Sequence, residues 1–81
     1  MLSNSIADST ASRKLYITTF KFHGMQKRVF FEGDDSEEGE RQYRRAAEGL
    51  LPIGDAAKSW EEFLPRAIRH FENFGFVWVA H

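Results

Sequence analysis

The chain has 81 residues, 11 Lys plus Arg against 12 Asp plus Glu, no cysteine, and eight Phe, two Trp and two Tyr. One domain of this length buries only about 60–65% of the surface its unfolded chain exposes, so the rings must form most of a small core, with no disulfide or thiolate metal site to staple it. A net charge of −1 argues against a dedicated duplex-DNA binder and against a strongly acidic DNA mimic, while leaving self-association or another protein as partner.

Residues 1–13 are rich in Ser, with isolated Leu2 and Ile6 and no ring, a composition that cannot offset its own ordering entropy. We read them as a flexible tail before a single domain at residues 14–81. The N-terminus has no basic segment followed by a continuous apolar stretch, as a secretory signal requires. No apolar run approaches the ~20 residues of a membrane span. With cysteine absent, a reducing cytoplasm is the expected compartment.

Lys14 to Gly24 and Met25 to Gly33 are rich in aromatic and β-branched residues, and His23-Gly24 lies between them. This pattern predicts a hairpin with a two-residue loop, pairing Phe22 with Met25, Phe20 with Lys27, Thr18 with Val29 and Tyr16 with Phe31. That register places Tyr16, Phe20, Phe22, Met25, Val29 and Phe31 on a core face. Leu15, Ile17, Thr19, Lys21, Gln26, Arg28, Phe30 and Glu32 fall on the other.

Six of the nine residues from Glu32 to Glu40 are acidic, and Arg41, Arg44 and Arg45 follow. Acid before base suits a helix dipole, predicting a helix over Ser36 to Glu48 capped by Asp35 with Glu38, supported by Glu37–Arg41 and Glu40–Arg44 pairs and stopped at Gly49. Pro52 to Asp55 reads as a linker between helices. Ser59 with Glu62 forms a second capping box, and Trp60, Phe63, Leu64, Ala67, Ile68 and Phe71 make one helical stripe that leaves Pro65 on the solvent side. The stripe predicts one kinked helix, or a short turn into a helix starting at Pro65, with Gly75 as the stop. Phe76 to Ala80 reads as a strand at the C-terminus.

The expected fold is therefore α+β: a two-layer ββααβ domain with a three-stranded, mostly antiparallel sheet and two helices on one face. The last strand should run parallel to the first and antiparallel to the second, beside either.

Chemistry-bearing patterns are sparse. His23 and His81, with Lys21 and Lys27 near the same end of the sheet, are the residue types of a small His-based nuclease. The acidic run lacks the alternating ligands of a calcium loop, and no phosphate loop, GxSxG-type or HExxH-type signature occurs. We therefore assign no catalytic residue, metal or cofactor. Leu15 to Phe20 and Gly75 to Val79 resemble the two aromatic strand motifs of the RNA-recognition motif, which implies rings stacked on unpaired bases. The element order departs from that family and the register turns Tyr16 toward the helices, so no family is assigned.

A binding module is the leading reading, as an inhibitor or adaptor acting on a larger protein complex, of the size that phages and mobile elements direct at host proteins. Its expected contact residues are Leu15, Ile17, Phe30, Lys21 and Arg28 on the open sheet face, together with the C-terminal sheet edge and Arg41, Arg44 and Arg45 on the first helix. The partner is another protein or a second copy. The alternative is single-stranded RNA binding through Lys21, Lys27, Arg28 and Phe30.

Overall fold

The computed structural model describes residues 13–79. Residues 1–12 of the expected tail, and residues 80–81, lie outside the described residues, while Arg13, expected in the tail, begins the first strand. β1 (Arg13–Phe22) and β2 (Met25–Asp34) form the hairpin, with Phe22 facing Met25, Phe20 facing Lys27, Thr18 facing Val29 and Tyr16 facing Phe31, as alternation demands. His23 and Gly24 both take positive φ, 50° and 83°. This is the combination whose twist matches a two-residue hairpin.

Three helices follow: α1 (Glu37–Glu48), α2 (Leu50–Ala56) and α3 (Trp60–Glu72). The short strand β3 (Val77–Trp78) then pairs antiparallel to β2, Phe31 with Trp78 and Glu32 with Val77. The sheet order is β1-β2-β3, so β3 runs parallel to β1 and takes β2 as its neighbour. The fold is the α+β arrangement the sequence pattern predicts.

Several local details differ from expectation. Asp35 does not cap α1. Ser36 does, its hydroxyl accepting from the Gly39 amide at 3.1 Å, while the Asp34 carboxylate accepts from the Ser36 amide at 3.2 Å and hydroxyl at 2.8 Å. The segment expected as a linker, Pro52 to Asp55, lies inside α2. Pro52 falls in the first turn of that helix, where a missing amide proton has no intrahelical acceptor to disappoint. Met25, expected in the core, is 61% exposed. β3 pairs only with Phe31 and Glu32, so no described strand on that side shelters the hairpin tip, and the helical layer covers Phe22 in its place.

α3 begins at the predicted box, with Ser59 Oγ accepting from the Glu62 amide at 3.2 Å and the Glu62 carboxylate accepting from the Lys58 amide at 2.8 Å. It continues through the exposed Pro65 as one helix. At its end the Phe76 amide reaches the Phe71 carbonyl and the Gly75 amide the Glu72 carbonyl, both at 3.0 Å. With Gly75 at φ 92° this is a Schellman motif, and Phe76 packs edge-on against Phe71, the apolar contact that accompanies it.

The core is a set of rings shared between layers. Phe31 stacks on Phe71 at 4.0 Å and Tyr16 on Tyr43 at 4.5 Å, while Phe20 and Phe22 meet Trp60 and Phe63. Phe31, Phe63, Phe71 and Phe76 are fully buried, each stabilising the fold by about 1.5–3 kcal/mol of transfer free energy.

Phe76 lies so close over Gly33 that an added Cβ would stand 2.2 Å from its ring. Gly33→Ala is expected to cost roughly 1–3 kcal/mol by overpacking, seen as a lower urea midpoint with an unchanged slope. Gly24→Val, at φ 83° where a Cβ meets nothing within 4 Å, should also lower the midpoint, by about 1–2 kcal/mol of backbone strain alone, and Gly24→Asn should lower it less.

Candidate functional site

The helices cover one face of the sheet and leave the other uncovered. In the observed register, cross-strand pairs on the uncovered face run Leu15–Glu32, Ile17–Phe30, Thr19–Arg28 and Lys21–Gln26 from the open end toward the turn. β3 extends the row. Val77 lies beside Glu32, and the Val79 amide donates to the Phe30 carbonyl at 2.9 Å. Strand alternation therefore puts Val77 and Val79 on the same face as Phe30. Leu15, Ile17 and Val77 are 46%, 53% and 53% exposed, while Phe30 and Val79 are half-buried.

An apolar band thus crosses all three strands at the open end, and Lys21 and Arg28 stand exposed nearer the turn. Neither cation forms an ion pair among the described residues. Thr19, Gln26, Lys27, Arg28 and Phe30 border a shallow depression of about 320 Å³ there. Val77 and Val79 escaped the sequence reading because nothing in the sequence says which strand the C-terminal one joins. The alternation in Phe76-Val77-Trp78-Val79 was the available signal.

Lys27 borders that depression but turns its charged end away from it. Its ammonium sits 4.9 Å above the Trp60 ring on the helix side, which separates it from Lys21, Arg28 and Phe30 by the thickness of the sheet. Tyr16 is 7% exposed and donates its hydroxyl hydrogen bond to the Asp34 carbonyl, so it presents no ring to a base.

Along the β1 side, Lys14, Tyr16, Ile17, Glu40, Tyr43 and Arg44 line a groove of about 310 Å³ between the strand and α1. Lys14 and Glu40 are paired across it at 2.7 Å, a hydrogen bond that raises the lysine above its ordinary pKa and lowers the glutamate below its own. The expected Glu40–Arg44 pair is replaced by this contact. Arg41 pairs with Glu38 rather than Glu37, because Glu38 also holds Gln42 on the same side of the helix. Arg44 and Arg45 are exposed and form no ion pair among the described residues.

The histidines bind the fold together. His23 Nε2–H donates to the Ala57 carbonyl at 2.8 Å and the Gly54 carbonyl at 3.1 Å, and His70 Nε2–H donates to the Ala46 carbonyl at 2.9 Å. Gly49 admits the His70 ring, since a Cβ there would lie 2.6 Å from Nε2. His81, the proposed catalytic companion of His23, lies outside the described residues. No three His, Cys, Asp or Glu side chains gather at metal-binding distance among the described residues, and no helix there is long and apolar enough to cross a membrane.

Comparison with protein-family models, with curated proteins and with solved structures gives no match.

Burial raises the pKa of Tyr43, a shift partly opposed by its hydrogen bond to Thr18, and burial likewise raises that of Tyr16. A raised folded-state pKa means that the neutral tyrosines stabilise the fold fully below the ordinary value of 10.0, and that this stability is lost as pH rises through the folded value. Alkaline titration followed by circular dichroism should show unfolding above that pH, and Tyr43→Phe should flatten the dependence while costing about 1 kcal/mol at neutral pH through the lost Thr18 bond. In the same denaturation assay His23→Ala should cost about 1–2 kcal/mol, because two carbonyls lose one shared donor.

Proposed function

We propose that this chain is a protein-binding module that docks through its uncovered sheet face. The observation that carries the reading is the apolar band of Leu15, Ile17, Phe30, Val77 and Val79 across three strands, beside the cations Lys21 and Arg28. An apolar centre with a charged rim has the composition of a contact surface. Desolvating the band contributes affinity, and the two cations orient a partner of opposite charge. In its concrete form the module is a cytoplasmic inhibitor or adaptor of a larger complex, of the kind phages and mobile elements direct at host proteins, with Arg41, Arg44 and Arg45 as a secondary contact. Docking needs no bond-making step, and no side chain is assigned a catalytic role.

A single-stranded RNA reading is favoured by Lys21 and Arg28 alone, which lack carboxylate partners among the described residues. It is weakened by Lys27, turned toward Trp60, and by Tyr16, turned inward. The nuclease reading would have to break the bonds His23 makes to the Gly54 and Ala57 carbonyls.

Affinity capture from cells that contain the natural partner should recover one protein in stoichiometric amount. Ile17→Asp or Leu15→Asp should abolish the capture, with an unchanged circular dichroism spectrum and urea midpoint, because both side chains are about half exposed in the free chain. Equal capture by both variants would sink the reading. Binding of a labelled oligonucleotide that weakens with salt and is lost in Arg28→Glu would replace it with the RNA reading.

A further inference from the structure

Among the described residues the ladder ends at β1, whose ten residues form the long edge of the sheet with no described strand beside it. The direction of its backbone groups follows from the far side. The Phe30 carbonyl accepts from Val79, so it points away from β1. In an antiparallel pair the two opposed residues either exchange both hydrogen bonds or neither, so Ile17, opposite Phe30, turns its own amide and carbonyl away from β2. With the two-residue alternation, Leu15, Ile17, Thr19 and Lys21 all present N–H and C=O outward. The closing pair Phe22–Met25 of a two-residue loop is hydrogen-bonded, which sets the same phase.

This edge has distinct chemistry on its two sides. Leu15, Ile17 and Lys21 border the uncovered face, while Lys14, Tyr16 and Arg44 border the groove to α1. β1 itself carries Arg13, Lys14 and Lys21 and no acidic residue. Arg13 and Lys14 are matched by Glu32 and Glu40, Lys21 and the neighbouring Arg28 form no ion pair among the described residues, and Arg44 shares Glu40 with Lys14 without closing an ion pair of its own. A second copy would bring another strand with the same three cations.

We propose that the β1 edge is a strand-addition site for an extended acidic and apolar segment of a partner protein. Apolar side chains of that segment lie beside Leu15 and Ile17, acidic ones reach Lys21 and Arg28 on the open face and Arg44 across the groove, and the outward amides of β1 supply the register. The inference rests on the protein-binding reading and names its mode and the chemistry of its ligand.

The probe is a fluorescein-labelled peptide of about ten residues, the length of β1, in which Val and Glu alternate with Thr. Fluorescence anisotropy with the full chain should show binding, and a version N-methylated on alternate residues facing the edge should bind at least tenfold more weakly. A version with Lys in place of Glu should also bind at least tenfold more weakly, and Lys21→Glu combined with Arg28→Glu should reverse that preference. Amide hydrogen exchange should slow on Leu15, Ile17, Thr19 and Lys21 when the peptide is added, while Tyr16, Thr18 and Phe20, already bonded to β2, change little. No peptide binding at about 1 mM overturns the inference. So does protection of the four outward amides in the free protein, whether concentration-dependent, as pairing between copies requires, or not, as the chain's own N-terminal residues would produce. If the N-methylated peptide binds equally well and Ile17→Asp still removes capture of the natural partner, strand addition fails and docking on the face survives.

Discussion

Two consecutive residues with positive φ, His23 and Gly24, set every pair between β1 and β2, and the remaining structure depends on that register. A slip of one residue on β1 would move Tyr16, Phe20 and Phe22 to the solvent side and leave the helices packing on Leu15, Ile17 and Lys21. With the register held, the hairpin presents a ring surface onto which Tyr43, Phe63, Phe71 and Phe76 close. Stacked and edge-on contacts between these rings add directional preference to the area they bury. A small domain without covalent cross-links thereby acquires a single packing solution.

The turn also acts beyond the hairpin. His23 donates to carbonyls at the end of α2, and His70 donates to a carbonyl of α1, so each imidazole ties one element to the C-terminal turn of a helix, whose carbonyl oxygens have lone pairs to spare. Glycine permits these approaches. Gly49 makes room for His70, and Gly33 for Phe76. The polar ties and the close contacts lie around the ring core, holding the helices against one face of the sheet and leaving the other face and the β1 edge uncovered.

That asymmetry gives the near-zero net charge a different meaning. The acidic entry to α1 is spent locally: Asp34 holds the Ser36 cap, Glu38 holds Arg41, and Glu40 crosses to Lys14. Among the described residues Lys21 and Arg28 form no ion pair and border the open face, while Arg44 stands beside Lys14 and Glu40 at the groove on the other side of β1. A chain neutral in sum thus presents a locally basic rim around apolar side chains, which is why its overall charge says little about its partner.

Much of this was legible from local signals. Alternation with a glycine turn specified the hairpin and its register, the acid-before-base run and the Ser59–Glu62 box located the longer helices within a residue or so although the first cap is Ser36 and not Asp35, and Gly75 marked the end of α3. The pattern that made Leu15, Ile17, Lys21, Arg28 and Phe30 a surface is a consequence of period-two geometry, available to any reader of the sequence. Long-range placement was not. The neighbour of β3 depends on how three helices carry the chain back, so the membership of Val77 and Val79 in the band, the exposure of Met25 and the identity of β1 as the long outer edge were decided by tertiary packing alone. The same holds for charge partners. Glu40 chose Lys14, distant in sequence, over Arg44 on its own helix because the β1–α1 contact brings that ammonium within 2.7 Å. Local periodicity determines which face of each element is apolar, and only the packed structure determines which of those faces remains open.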